Sequence, residues 1–255
     1  MNTRPAEWFG QTTELPEDRF AYDFLRLAER LPPDDEGFFI DIGAADGKTF
    51  SNTYAFARLG WVGIAVEPSP FVFPALLKNT AAFGDRVTCI NAAIMPTGAS
   101  APLIPWYDSG GDLVSTADES HRQLWSKDVA FRKFFVKPAN WADVLRVAIA
   151  DFAAKRDSIA RVDFVSIDVE GLNAETFDHC PLDVLTPTLV CVESEPTKPG
   201  NHERIVDRAK KSGYVFVRSI GCNLFFARED TKARFDANFD PSILNPPATF
   251  DGSHQ

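Results

Sequence analysis

Carboxylates stand at the ends of apolar runs throughout this chain. Asp41 follows Phe38-Phe39-Ile40, Glu67 follows Val62 to Val66, Asp168 and Glu170 close the run that begins at Val162, and Glu193 and Glu195 close the run from Thr188. Apolar runs of that length read as strands, and open α/β sheets bind their ligands beyond the carboxyl ends of strands. A carboxylate placed there can accept a hydrogen bond from a hydroxyl, attract a cation, take a proton from an acceptor or hold a hard divalent ion.

The first of these runs continues as Asp41-Ile42-Gly43-Ala44-Ala45-Asp46-Gly47 and then as Lys48-Thr49-Phe50-Ser51-Asn52-Thr53-Tyr54. Strand, tight glycine turn and helix in that order make a nucleotide-type site, since glycine permits positive φ or close approach of the backbone to a ligand. A dinucleotide site wants glycines spaced G-x-G-x-x-G, so that a diphosphate rests on bare N–H groups. Here the spacing is G-x-x-x-G, and Asp41 and Asp46 would repel a diphosphate. The ammonium and sulfonium of S-adenosylmethionine (SAM) are cations that carboxylates attract. The turn therefore reads as a SAM site built from Asp41, Gly43, Ala44, Asp46, Gly47, Ser51 and Asn52.

Glu67-Pro68 closes the second apolar run 26 residues after Asp41, where an acidic residue hydrogen-bonds ribose hydroxyls in Rossmann-like units. A third strand over Arg86 to Ile94 brings Asn91 and Ala92 beside the adenine. Strand side chains alternate, so Asp168 and Glu170 share one face if their strand persists that far. For a base that activates a hydroxyl, the candidates are Asp168, Glu170, Glu193, Glu195 and His202. His202 is preferred as the partner of Glu193 or Glu195, because the loop Pro196 to Asn201 would carry it to the mouth of the site; His121 is an outside choice. The leading expectation holds no metal, with a divalent cation on Asp168, Glu193 and Glu195 as the alternative.

These residues need an α/β scaffold, and the chain supplies one. At 255 residues it suits one domain with a substantial core. With 26 basic against 36 acidic residues the net charge is −10, which offers no basic face for a phosphate backbone and excludes nucleic acid as partner. Four scattered cysteines show no metal-ligand spacing and read as reduced thiols. No run reaches transmembrane length and the N-terminus lacks the apolar core of a signal peptide, so a soluble, cytoplasmic protein is expected.

Residues 14 to 31 place Phe20, Phe24, Leu27 and Leu31 at helical spacing, in a helix that packs on the sheet or covers the cofactor end. Ser51 to Leu59 and Phe71 to Ala82 read as crossover helices, and Glu203 to Lys211 as a later one. From Pro96 to about Arg161 the pattern loosens into a long insertion assigned to substrate binding. Within it Phe131 to Lys137 fits a strand and Trp141 to Lys155 a helix, while Trp106, Tyr107 and Trp125 either stack on a sugar ring or anchor the loop. Tyr214 to Ile220 and Asn223 to Arg228 are separated by two residues and must pair as a hairpin, so one strand runs antiparallel to the rest.

Taken together, Asp41-Ile42-Gly43-Ala44-Ala45-Asp46-Gly47, Phe50-Ser51-Asn52-Thr53, Leu59-Gly60-Trp61-Val62-Gly63, Val66-Glu67-Pro68-Ser69-Pro70 and Ile167-Asp168-Val169-Glu170-Gly171 resemble the FkbM family of SAM-dependent methyltransferases. The resemblance spans roughly residues 17 to 228, with Glu17-Asp18-Arg19-Phe20 similar to the family's N-terminal helix. It implies a Rossmann-like class I methyltransferase fold, α/β, with a mostly parallel seven-stranded sheet, one antiparallel strand and helices on both faces. It also implies O-methylation of a hydroxyl on a sugar, glycan or secondary-metabolite acceptor. Onto this sequence it carries Asp41, Gly43, Asp46, Gly47 and Glu67 as cofactor residues, and Asp168 with Glu170 beside the methionine end or the acceptor. The family usually has Asn where Ala45 stands here.

The expected organisation is an N-terminal helical segment over 1–36, a methyltransferase domain over 37–229 with its insertion at about 96–161, and a C-terminal tail over 230–255 whose last residues are poorly fixed. Expected partners are SAM and a small-molecule or glycan acceptor, and a homo-oligomer is compatible with the reading. A nicotinamide-dependent oxidoreductase and a non-catalytic SAM-binding protein are the alternatives.

Overall fold

The computed structural model describes residues 9–10, 16–30, 37–95, 101–110, 114–155 and 162–239. Helix α1 (Glu17–Leu27) precedes strand β1 (Phe38–Ile42), followed by α2 (Tyr54–Leu59), β2 (Val62–Val66), α3 (Phe73–Thr80) and β3 (Val87–Ile90). The middle of the chain holds β4 (Ala93–Ile94), β5 (Ile104–Asp108), α4 (Glu119–Trp125), β6 (Arg132–Val136), β7 (Pro138–Ala139) and α5 (Trp141–Lys155). The last third runs β8 (Phe164–Ile167), α6 (Asn173–Asp178), α7 (Leu182–Leu185), β9 (Leu189–Glu193), α8 (Asn201–Lys211), β10 (Tyr214–Ile220), β11 (Asn223–Arg228) and α9 (Glu229–Asn238).

Seven strands form one sheet in the order β10-β11-β9-β8-β1-β2-β3. All neighbours pair in parallel except β11, which is antiparallel to both β10 and β9. The expected sheet and its hairpin are thus both present. Every residue of β1, β2 and β8 is buried, because helices cover both faces of a parallel sheet. Alternation sorts β1 cleanly: Phe38, Ile40 and Ile42 join one core layer with Trp141 and Val144 of α5, Phe177 of α6 and Ile205 of α8. Phe39 joins the opposite layer with Phe20 and Phe24 of α1, Phe56 of α2 and Phe235 of α9. Asp41 has the parity of Phe39 and so points toward α2.

The structure differs from the sequence reading at several boundaries. The first crossover helix begins at Tyr54, because the Ser51 hydroxyl accepts from the N–H groups of Thr53 and Tyr54 and so caps its start. The third strand leaves the sheet after Ile90, and Ala93–Ile94 pair instead with Pro138–Ala139. The insertion is more regular than expected. β5 and β6 pair as an antiparallel ribbon from Ile104↔Val136 to Asp108↔Arg132, and α5 belongs to the main core. The segment expected as a tail opens with helix α9, whose Phe235 ring packs 4.7 Å from Phe24 of α1. Leu31 and the last residues of the chain lie outside the described residues.

Candidate active site

The strand order runs outward in both directions from the β1–β8 pair, and at such a reversal the two connections diverge and leave a crevice. A cleft of about 310 Å³ opens there, walled by the ends of β1, β2 and β8, the ribbon residue Trp106, the turn Gly221-Cys222-Asn223 and Glu17 of α1. Glu17 Oε1 accepts from Asn223 Nδ2 at 3.3 Å, so α1 both packs on the sheet and closes this end of the cleft.

The glycine turn is locked between two strand ends. Gly43 and Ala44 N–H groups both donate to the Val66 carbonyl at 2.9 Å. Gly43 has φ +91°, and a Cβ there would stand 1.6 Å from the Asp168 carbonyl oxygen, so no larger residue fits. Ala45 also adopts positive φ, +47°, the conformation that asparagine tolerates better than alanine. Its N–H donates to Glu67 Oε2 at 3.0 Å, while Glu67 Oε1 accepts from Ser69 N–H at 2.6 Å. Burial pushes the Glu67 carboxyl up to about 7 and the Asp41 carboxyl up to about 6, against the hydrogen bonds each accepts. For Asp41 that bond comes from the Thr53 hydroxyl at 2.6 Å.

Of the residues expected around the cofactor, Asp41, Gly43, Ala44, Ser51, Asn52, Glu67, Pro68, Ala92 and Asp168 line this cleft. Three others do not. Asp46 is turned into its own loop, where it accepts from the N–H groups of Lys48 and Thr49 at 2.8 and 2.7 Å. Gly47 faces α3, where a Cβ would meet Leu76 Cδ1 at 2.3 Å, so its role is close packing. Asn91 binds the carbonyls of Glu67 and Pro68 through Nδ2 and braces the end of β2.

The second group of carboxylates is brought together by a turn. β8 ends at Ile167, and Glu170 has φ +47° and Gly171 φ +92°, so Asp168 and Glu170 converge by backbone reversal and strand alternation plays no part. The turn is clamped from three sides. Val169 N–H donates to Asn173 Oδ1 at 2.7 Å, Thr116 Oγ1 donates to the Glu170 carbonyl at 2.5 Å, and Glu195 Oε1 accepts from Gly171 N–H. Burial, and then the neighbouring carboxylates, raise Asp168 well above the ordinary carboxylate range. Glu170 and Glu193 are both pushed up to about 7, mainly by burial.

Only Asp168 and Glu170 of the candidate catalytic residues face the cleft. Glu193 and Glu195 lie behind them, tied to Asn173 Nδ2 at 2.7 Å and to Gly171 respectively. His202 is exposed in the first turn of α8 and is not brought to the mouth, because the preceding loop leads straight into that helix at Asn201. The histidine that does reach the carboxylates is His121 of α4: it is 2% exposed, with Nε2 3.4 Å from Glu170 Oε2 and Nδ1 3.8 Å from Glu195 Oε1. The trio Asp168, Glu193 and Glu195 does not close as one donor set. Two triplets form instead, His121–Glu170–Glu195 and Asp168–Glu170–Glu193, sharing Glu170. Of the three aromatics, Trp106 lines the cleft, whereas Tyr107 is covered by the Arg122 and Lys133 side chains.

Glu17 and the Gly221-Cys222-Asn223 turn were missed by reasoning from sequence. The hairpin was predicted, and its turn necessarily sits at the carboxyl-end edge of β9, which was the available signal. No helix among the described residues is long and apolar enough to cross a membrane.

Comparison with known proteins bears on this geometry. The profile of the family described as "Methyltransferase FkbM domain" matches residues 41–216. No curated protein matches the chain. Among solved structures, PH1948 from Pyrococcus horikoshii is 14% identical over 87% of this chain and 87% of its own, with a TM-score of 0.42. The N-terminal domain of human METTL16 is 13% identical over 82% of this chain and 68% of its own, TM-score 0.41. A precorrin-6y C5,15-methyltransferase from Geobacter metallireducens GS-15 is 13% identical over 80% of this chain and 84% of its own, TM-score 0.38. The family match covers the glycine turn, Glu67 and both carboxylate-bearing strand ends, and it removes the oxidoreductase alternative. The chain belongs to the FkbM family of SAM-dependent methyltransferases.

Proposed function

We propose that this methyltransferase acts on a hydroxyl of a neutral, polyhydroxylated acceptor of the sugar, glycan or secondary-metabolite class. The observation that carries the reading is a small set of polar groups, headed by two carboxylates, in an otherwise largely apolar cleft wall. Asp168 and Glu170 line the cavity, Ser109 and Ser115 add hydroxyls, and among the described residues no lysine or arginine lines it. A wall of that kind pairs with hydroxyl groups and repels a phosphate or carboxylate.

The residues present fit SAM. Glu67, already fixed by two backbone N–H groups, has lone pairs left for ribose hydroxyls, and Asp41 and Asp168 complement a cationic methionine end. Bound there, SAM supplies a methyl group on a sulfonium. An aliphatic hydroxyl is a weak nucleophile, so the chain's contribution is to orient it and to receive its proton. Asp168 and Glu170 are the carboxylates placed to do so, and burial makes each a better proton acceptor than an exposed carboxylate. Glu193, Glu195 and His202 are not placed to touch the acceptor.

The test is transfer from methyl-labelled SAM to a panel of neutral sugars, oligosaccharides and RNA, with the position of the new methyl read by mass spectrometry. An O-methyl ether on a neutral acceptor is expected, lost in Glu170→Gln with retained binding of S-adenosylhomocysteine. Methyl groups found on RNA bases, or on nitrogen or carbon, would overturn the assignment.

A further inference from the structure

We propose that His121, Glu170 and Glu195 form a binding site for a divalent first-row transition ion in the wall of the cleft. One donor atom from each of the three lies within 4.8 Å of the other two. Donors sharing an ion at roughly 2.0–2.2 Å stand about 3–4 Å apart, so only small rotations close the set.

The imidazole carries the inference beyond a cluster of acids. His121 is 2% exposed, and neither ring nitrogen makes a hydrogen bond, although each lies within 4 Å of a carboxylate oxygen. A buried imidazole without partners costs stability unless something binds it. At 3.4 and 3.8 Å the two carboxylate contacts are longer than ordinary N–H···O hydrogen bonds.

The charge around the imidazole points the same way. Among the described residues no lysine or arginine pairs with Asp168, Glu170, Glu193 or Glu195. Lys198, which reaches the same turn, is held by Asp118 and the Gly171 carbonyl. A cation is the missing complement to this group of carboxylates, of which Glu195 is buried and the other three are half-buried.

The fold builds the site before any ion arrives. Gly171 makes room for the imidazole, since a Cβ at that position would stand 2.8 Å from His121 Cβ. Glu170 is held in the left-handed region, a conformation that costs free energy and is found where a side chain must be aimed. Glu195, 5% exposed, is fixed by the Gly171 N–H and lies 3.4 Å from Asn201 Nδ2. Ligands braced in this way are what a metal site requires.

One imidazole with two carboxylates is a mixed nitrogen and oxygen set that suits Mn²⁺, Fe²⁺ or Zn²⁺. Mg²⁺ prefers octahedral oxygen ligands and keeps several waters. Three protein ligands leave coordination positions open, as in catalytic sites. Because Glu170 also lines the cleft, an ion here would stand beside the acceptor and lower the pKa of a hydroxyl bound to it. The site rests on its own side chains and not on the acceptor assignment.

The experiment uses the full chain, stripped with a chelator and titrated with MnCl₂ in the absence of SAM and acceptor, with free Mn²⁺ counted by electron paramagnetic resonance. One Mn²⁺ per chain is expected, displaced by ZnCl₂ and not by equimolar MgCl₂. His121→Gln and Glu195→Gln, shown to be folded by circular dichroism, should each weaken binding roughly tenfold or more, while Glu193→Gln changes it little. Pulsed resonance of the wild-type Mn²⁺ complex should show coupling to one imidazole nitrogen, a readout that needs no variant. Absence of stoichiometric binding, absence of the nitrogen coupling, undiminished binding in the folded variants, or equal competition by MgCl₂ would overturn the proposal.

Discussion

Glu67 does two things that a single carboxylate can combine. It ties the Ala45 and Ser69 N–H groups together, which fixes the glycine turn against the end of β2, and it remains on the cleft wall. Glu67→Ala is therefore expected to weaken S-adenosylhomocysteine roughly tenfold or more, about 1.4 kcal/mol or above, in isothermal titration calorimetry. An unchanged Kd would remove Glu67 from the cofactor site. Ala45 presents the opposite case, a residue less suited to its backbone than an alternative. At φ +47° its Cβ is strained, and Ala45→Asn, which restores the residue usual in the family, is expected to raise the unfolding free energy by about 1 kcal/mol in urea titrations. A neutral or destabilising result would show that Ala45 is held there by packing.

At the scale of elements, the sheet and its helices were legible because parallel strands buried on both faces read as unbroken apolar runs, and because a two-residue gap forces a hairpin. The cleft residues proposed for the cofactor are legible too, since they are local in sequence to the turn and to the tip of β2. The carboxylate cluster proposed to face the acceptor is not. Its carboxylates meet through a left-handed turn at Glu170 and Gly171 that strand periodicity does not foresee, and its histidine arrives from α4, far upstream of the strand ends it serves. Distant contacts of that kind leave no spacing signal, so the spacing favours the sequence-nearest histidine, His202, which the fold leaves exposed on α8 away from the cleft. Asp46 shows a related limit: an acid in a ligand-binding turn can serve the turn itself. Helix α9 went unread because its sequence, Glu229 to Asn238, has little amphipathic pattern. It nonetheless seats Phe235 against Phe20 and Phe24 of α1, the helix that brings Glu17 to the cleft. Phe235→Ala is expected to cost about 3 kcal/mol of stability, read as a lowered denaturant midpoint. A loss below 1 kcal/mol would mean that α9 does not brace α1.

For the whole molecule, the chain carries a net charge of −10 and buries the acids Asp41 and Glu67 in the wall of the proposed cofactor cleft, which couples stability to pH. Asp41 has its carboxyl raised from 3.8 to about 6, and Glu67 from 4.5 to about 7, each chiefly by burial. A carboxyl raised in the folded state holds its proton more tightly there than in the unfolded chain. Its contribution is fully present below the unfolded value and is lost as pH rises through the folded one. The window for Asp41 runs from about 4 to above 6 and that for Glu67 from about 4.5 to above 7. At about 1.4 kcal/mol per unit, each group withdraws on the order of 3 kcal/mol across its window. The ligand-free protein is accordingly expected to unfold more readily at pH 8 than at pH 5.5, the reverse of a protein held by surface ion pairs alone. Asp41→Asn and Glu67→Gln remove the titrating groups while keeping their shapes, so each should flatten the dependence of the urea midpoint on pH over its own window. Saturating S-adenosylhomocysteine, whose ammonium complements the ionised acids, should flatten it as well. A wild-type slope retained in both variants would place the proton linkage elsewhere in the molecule.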